Sequence, residues 1–244
     1  MKIVSWNCHY GLTDKRFKNL MQAEDGKFAG ADVYAFQEVL ENKFISIPDY
    51  ANAQNYKYRH WYGDHQEYGN CHEAREWEGD LGIVLISKFK FRRFDQGLMR
   101  FRYVVPYVFY DDTNQEKFIL IHVWTKSKPD GYFEPVYKTL EFYKNQFPNL
   151  PILMIGDFNF GVTFNDSFIK KFESRLNKEI EGIQIAELIG NEKRSFFYSR
   201  CPENNYFNDC VFTKGCKAHF EIGDSKKWLP DISDHCPIVA TIDL

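Results

Sequence analysis

The sequence has no run approaching the roughly 20 apolar residues of a membrane-spanning helix. It opens Met1-Lys2-Ile3-Val4-Ser5-Trp6, a strand-like start with no secretory apolar region and cleavage site, which predicts a cytoplasmic protein. None of the six cysteines, Cys8, Cys71, Cys201, Cys210, Cys216 and Cys236, stands in a C-x-x-C pair. The spacing that announces zinc or redox sites is therefore missing, and reduced thiols are expected. Fixed-period repeats, low-complexity tracts and an obvious linker are also missing. Strong net charge is lacking too: −3 gives no global pull toward nucleic acid or an anionic membrane. A polyanionic substrate would have to be gripped by a local patch or a metal ion.

What remains is a chain of 244 residues that is 44% hydrophobic and 18% aromatic, enough to bury one large core. Short β-branched and aromatic runs recur at 3–6, 33–36, 82–86, 103–110, 118–123, 152–155, 210–212 and 238–242. Each is bounded by polar or turn residues, as strands are. Helical spacing appears in Phe17-Leu20-Met21, in Val136-Leu140-Tyr143-Phe147 and in Phe164-Phe168-Phe172-Leu176. Many strands with a few helices between them predict layered sheets flanked by helices, in one domain over residues 1–244.

Two stretches stand out by charge. Residues 63–80 carry six acids and one arginine. Residues 88–102 carry Lys88, Lys90, Arg92, Arg93, Arg100 and Arg102 with phenylalanines between them. Bases interleaved with aromatics suit a nucleic-acid groove. A half-exposed strand gives the same alternation.

Polar groups recur at the ends of the apolar runs. Ile152-Leu153-Met154-Ile155 leads into Gly156-Asp157-Phe158-Asn159. On an extended strand Asp157 and Asn159 would share a face; Gly, Asp and Asn are also ordinary turn formers. The same happens at Trp6-Asn7, at Gln37-Glu38, at His122, at Asn208-Asp209 and at Ser233-Asp234-His235. If these ends meet on one edge, they form a cluster of carboxylates, amides and imidazoles. Crowded carboxylates resist ionisation unless a cation sits among them. Hard oxygen donors favour Mg²⁺ or Mn²⁺ over zinc. With histidines nearby, the natural substrate is a phosphate ester attacked by water.

Trp6-Asn7, Gln37-Glu38, Gly156-Asp157-Phe158-Asn159 and Ser233-Asp234-His235, in that order, resemble the motif set of the endonuclease/exonuclease/phosphatase family, to which DNase I belongs. The resemblance implies a four-layer α/β/β/α sandwich of two mostly antiparallel sheets. It implies Glu38 as principal metal ligand, with Asn7 and Asp234 beside it. Asp157 would orient or deprotonate the attacking water, and Asn159 would donate its amide to the phosphate or the nucleophile. His235 would contact a phosphate oxygen, with Asp209 fixing its tautomer, and His122 would protonate the leaving group or bind the phosphate. Trp124 and Lys126, on the loop past the site, and Arg92 and Arg93 are candidate substrate contacts. Phe207 and Cys210 depart from the family pattern around Asp209, where a base and a tyrosine are usual. The continuation of His122 into Val123-Trp124-Thr125-Lys126 argues against exonuclease III proper.

The expected activity is thus Mg²⁺-dependent hydrolysis of a phosphodiester by a monomeric nuclease or DNA-repair enzyme. A phosphatase or lipid phosphodiesterase on the same scaffold, of the inositol phosphate or sphingomyelin type, is the alternative. A binding module without catalysis is the third reading.

Overall fold

Apolar runs that alternate in which face they bury produce two sheets packed face to face. The computed structural model describes residues 1–9, 12, 14–40, 56–63, 81–93, 104–125, 133–162, 166–200, 203–229 and 231–244. The strands are β1 (Lys2–Asn7), β2 (Val33–Leu40), β3 (Tyr58–Gly63), β4 (Leu81–Ser87), β5 (Phe91–Arg93), β6 (Val104–Tyr110), β7 (Glu116–Trp124), β8 (Ile152–Val162), β9 (Gln184–Ile185), β10 (Glu187–Leu188), β11 (Phe207–Lys214), β12 (Lys217–Ile222) and β13 (Ile238–Asp243). One sheet runs β10-β12-β13-β1-β2-β4-β3 and the other β5-β6-β7-β8-β11-β9. Most neighbours are antiparallel; β1 and β2, β7 and β8, and β10 and β12 are parallel pairs.

Helix α1 (Asp14–Gln22) covers the outer face of the first sheet. Its Phe17 ring meets Tyr34 at 5.3 Å and Phe36 at 5.7 Å, both from β2. Helices α2 (Glu134–Gln146) and α3 (Ser167–Glu179) cover the second sheet. The Asp166 side chain caps α3 by accepting from Phe168 N at 2.7 Å, which satisfies one of the free amides at a helix start. A short helix, α4 (Ser225–Trp228), seats Trp228 edge-on to Trp6 at 5.2 Å. The layers are therefore α/β/β/α, the architecture expected from the sequence. The strands not foreseen are β3, β5, β9, β10 and β12, which carry weak alternation or are very short. Residues 64–80, 94–103 and 126–132, which hold most of the acidic stretch, part of the basic one and Lys126, lie outside the described residues.

Strand alternation decides what enters the layer between the sheets. On β2, Tyr34 and Phe36 face α1, so Gln37 faces inward. There its Nε2 lies 2.6 Å from His122 Nε2 on β7 and donates to Ala35 O at 3.1 Å. His122 is wholly buried, and burial pushes its imidazole down to about 3, so the ring is neutral. Gly156 is required where β7 and β8 run side by side. It has φ +144°, and a Cβ there would lie 1.9 Å from Val123 O.

Two outcomes follow for stability. Gly156→Ala is expected to lose about 3 kcal/mol or more, because the obstruction is backbone and cannot rotate away; a thermal melt within a degree or two of wild type would contradict this. The folded value of His122 lies below its unfolded value of 6.5. The stability it contributes is therefore intact above that pH and is lost as pH falls toward 3, by about 1.4 kcal/mol per unit. Denaturant unfolding of His122→Leu between pH 7 and 4 is expected to show a shallower acid loss than wild type. Equal slopes would rule out a buried neutral imidazole.

Candidate active site

The C-terminal ends of β1 and β2, the middle of β8, the start of β11 and the loop before β13 meet at the site. Asn7 ends β1, and its Nδ2 donates to Glu38 Oε1 and to Asp157 Oδ2, each at 3.0 Å. Its Oδ1 accepts from His9 N at 3.1 Å. Glu38 reaches it because β2 bulges: Phe36 pairs with Val84 but Val39 with Gly82, so one extra residue is accommodated and Glu38 takes φ +55°. A bulge re-aims a side chain that alternation would have turned outward.

Asp157 is fully buried in the middle of β8. Its Oδ1 accepts Asn159 N at 2.8 Å, and its Oδ2 accepts Asn159 Nδ2 at 2.9 Å. Asn159 has φ +50°, and its Nδ2 also donates to Thr125 O at 2.5 Å. The extended geometry that would put both residues on one face does not persist. A side-chain-closed turn at Asp157 brings the Asn159 amide back to it. The turn reading and the site reading are therefore the same structure.

His235 lies beside this pair. Its Nδ1 is 2.8 Å from Asp209 Oδ2 and its Nε2 is 3.7 Å from Asp157 Oδ2. Asp209 and Asn208 are fixed through their backbone amides, which donate to Ser195 Oγ at 3.0 and 2.8 Å. Ser233 ties the His235 loop to β1: its Oγ donates to Asn7 O at 2.8 Å and accepts from His235 N at 3.1 Å. Asp234 faces outward to His9, with 3.2 Å between Oδ2 and Nδ1.

Burial governs the electrostatics. It raises the Asp157 carboxyl to about 8, against the charge of His235. Burial likewise raises Asp209 and Glu38, the latter against the hydrogen bond from Asn7. For His235, burial alone would lower the imidazole, but the carboxylates of Asp209 and Asp157 outweigh it and hold the ring well above its usual value. Burial would raise Asp234, but His235 and the bond from His9 outweigh it and keep it ionised. Asp157, His235 and Asp209 share their protons as one group.

Two arrangements could hold a cation. Asp157, Asp209 and His235 present ligand atoms within 4.8 Å of one another. Yet His235 Nδ1 is taken by Asp209, and Asp157 is taken up by the amides of Asn7 and Asn159. Glu38 Oε2 is a buried carboxylate oxygen with no hydrogen-bond partner among the described residues, and so is Asp209 Oδ1. Such an atom is costly unless something absent here satisfies it. The carboxylate oxygens of Glu38 and of Asp234, which lies near enough to act on its charge, suit a hard divalent cation, while Asn7 turns its Nδ2 and not its oxygen toward Glu38.

The structure brings Asn7, Glu38, Asp157, Asn159, Asp209, Asp234 and His235 together. His122 pairs with Ile155 in register, two residues before Asp157 on β8, and its Nε2 lies 2.6 Å from Gln37 Nε2. The β7 residue level with Asp157 is Trp124. It ends the strand instead of standing on the following loop, and it is buried. Arg92 and Arg93 lie on β5 at the edge of the second sheet. Arg93 pairs with Tyr107, Tyr107 with Leu120 and Leu120 with Leu153. Strands about 4.8 Å apart rising about 3.3 Å per residue put Arg93 on the order of 20 Å from Asp157. Its guanidinium stacks 3.9 Å over Tyr62 on β3. His9, Ser195, Ser233 and Thr125 were not assigned from sequence. His9, two residues beyond Asn7, and Ser233, beside Asp234, could have been found by their nearness to those motifs. Ser195 and Thr125 carry no local signal.

No family model matches the chain, and no curated protein matches it. Solved structures do. The 3′ phosphatase NExo from Neisseria, solved with a product DNA hairpin, superposes with a TM-score of 0.67 at 15% identity over 100% of both chains. An endonuclease/exonuclease/phosphatase family protein from Leptotrichia buccalis gives 0.64 at 19% identity, again over 100% of both chains. A beta toxin from Staphylococcus aureus gives 0.63 at 17% identity over 99% of each chain. The chain thus has the fold of the endonuclease/exonuclease/phosphatase proteins, the family that its motifs resemble.

Proposed function

We propose that the protein is a divalent-metal-dependent phosphoester hydrolase that cleaves phosphodiester bonds, of the nuclease or DNA-repair type. The observation that carries this reading is the joint arrangement of Asp157, Asn7 and Glu38, with one carboxylate oxygen of Glu38 left unsatisfied. Glu38, with Asn7 and Asp234 beside it, would hold Mg²⁺ or Mn²⁺, which neutralises charge on the phosphoryl group.

The remaining roles belong to the chain's own groups. Asp157 takes a proton from the attacking water; burial raises its carboxyl and so strengthens it as a base. Asn159 and Asn7 fix the direction of that carboxylate. Asp209 holds the His235 proton at Nδ1, which leaves Nε2 directed at Asp157 and the reacting phosphate. Protonated His235 stabilises charge building on a phosphate oxygen.

A nucleic-acid substrate is supported by likeness to NExo, solved with a DNA product. A second reading, a small phosphate ester, gains from the remoteness of Arg92 and Arg93, since the site then grips a phosphate without a long cationic groove.

Two outcomes test the proposal. Nucleic acids, tyrosyl-DNA, inositol phosphates and sphingomyelin are incubated with Mg²⁺ or EDTA. Cleavage of at least one with Mg²⁺ is expected, falling at least about 100-fold in Asp157→Ala. Activity that survives EDTA or the substitution would refute it. Millimolar Mg²⁺ is expected to raise the melting temperature of wild type and not of Glu38→Ala; equal shifts would move the cation away from Glu38.

A further inference from the structure

Asp157 and Asn159 face the candidate site, and the two phenylalanines that alternate with them face the other way. Phe158 and Phe160 stack on each other at 5.3 Å and approach Phe172 of α3 at 6.0 and 5.2 Å. Outside them, between α2 and α3, lies a pocket of about 190 Å³. Phe133, Tyr137, Phe168 and Phe172 line its apolar part, with the Phe133 ring 4.5 Å from Phe172. Lys171 and Arg175, one turn apart on α3, and Glu134 from α2 form its polar part. Glu134 is already shared between Lys138 at 3.5 Å and Arg175 at 3.9 Å. The Arg175 guanidinium also lies 4.2 Å over the Tyr137 ring. Lys171 is exposed and makes no hydrogen bond or ion pair among the described residues.

We propose that this pocket is a binding site for a small aromatic anion, with one planar ring against the phenylalanines and its anionic group on Lys171 and Arg175. Size sets the ring count. A cavity of about 150 Å³ holds benzene, so this one takes a single ring with a short substituent and excludes a peptide helix. Aromatic walls favour an aromatic guest through edge and offset-face contacts. Charge sets the substituent. Two cations meet one carboxylate that is already divided between partners, so an anion is attracted and a cation is not. The site stands on the opposite face of β8 from Asp157, and its occupancy is measured without turnover, so it does not depend on the hydrolase reading.

The probe is phenylacetate, titrated into the full chain and followed by protein-observed NMR or calorimetry. Saturable binding with Kd of about 5 mM or tighter is expected for ten non-hydrogen atoms. Lys171→Glu is expected to weaken it at least about 10-fold, as is replacing the probe by neutral phenylacetamide. Phe168→Ala is expected to weaken it too, and if that variant melts early, the exposed Lys171→Glu decides alone. The proposal is overturned by no saturation up to 50 mM (about ten times that Kd), by Lys171→Glu binding as wild type, or by the amide binding as tightly as the acid.

Discussion

One side-chain amide joins the two sheets at the point where chemistry is proposed. Asn7 Nδ2 spends both of its hydrogens on carboxylates, one to Glu38 within its own sheet and one to Asp157 across the sandwich. Hydrogen bonds to charged acceptors in a buried setting contribute about 1.5–3 kcal/mol each. Without this amide two buried carboxyl groups would lose a donor each and face one another. Its carbonyl oxygen is equally committed, to the backbone of His9. Asn7 is thus a spacer that sets the separation of the two acids, and the strand that carries it is pinned at the same level by Ser233.

Regular strands cannot deliver this arrangement, since alternation would point Glu38 toward α1 and leave Asn159 on an unturned strand. Two local departures do. The bulge in β2 rotates Glu38 inward, and the Asp157 turn folds Asn159 back. Both put a non-glycine residue at positive φ, a conformation that costs energy and persists only where the surroundings over-determine it. Here the surroundings are the amides and carboxylates of the site itself. The anionic group is also buried beyond what its internal bonds satisfy, as Glu38 Oε2 and Asp209 Oδ1 show. A cation or a hydrogen-bond donor is the partner that such a deficit calls for.

The layered fold was legible because the central strands are long apolar runs and the helical spacings at 17–21, 136–147 and 168–176 are regular. Edge strands were not, since β3 is only half-buried and β5 has just three residues. The site was legible through its motifs, most of which lie at or near the ends of core strands, while Gly156-Asp157-Phe158-Asn159 lies in the middle of β8, which runs on to Val162. The level of His122 along its strand was not legible, since only register with β8 places it opposite Ile155. The place of Arg92 and Arg93 was not legible, because a basic-aromatic alternation is the same in an edge strand as in a groove. His9 was passed over because its partner, Asp234, is distant in sequence.

The central claim is that the unsatisfied oxygen of Glu38 marks a cation site bridged by Asn7 to the Asp157 base. The most direct measurement is a crystal grown or soaked with Mn²⁺, read from its anomalous difference map. The account predicts one strong peak in contact with Glu38 Oε2 and near Asp234. A map without a peak there, or with its only peak between Asp157 and Asp209, would contradict it.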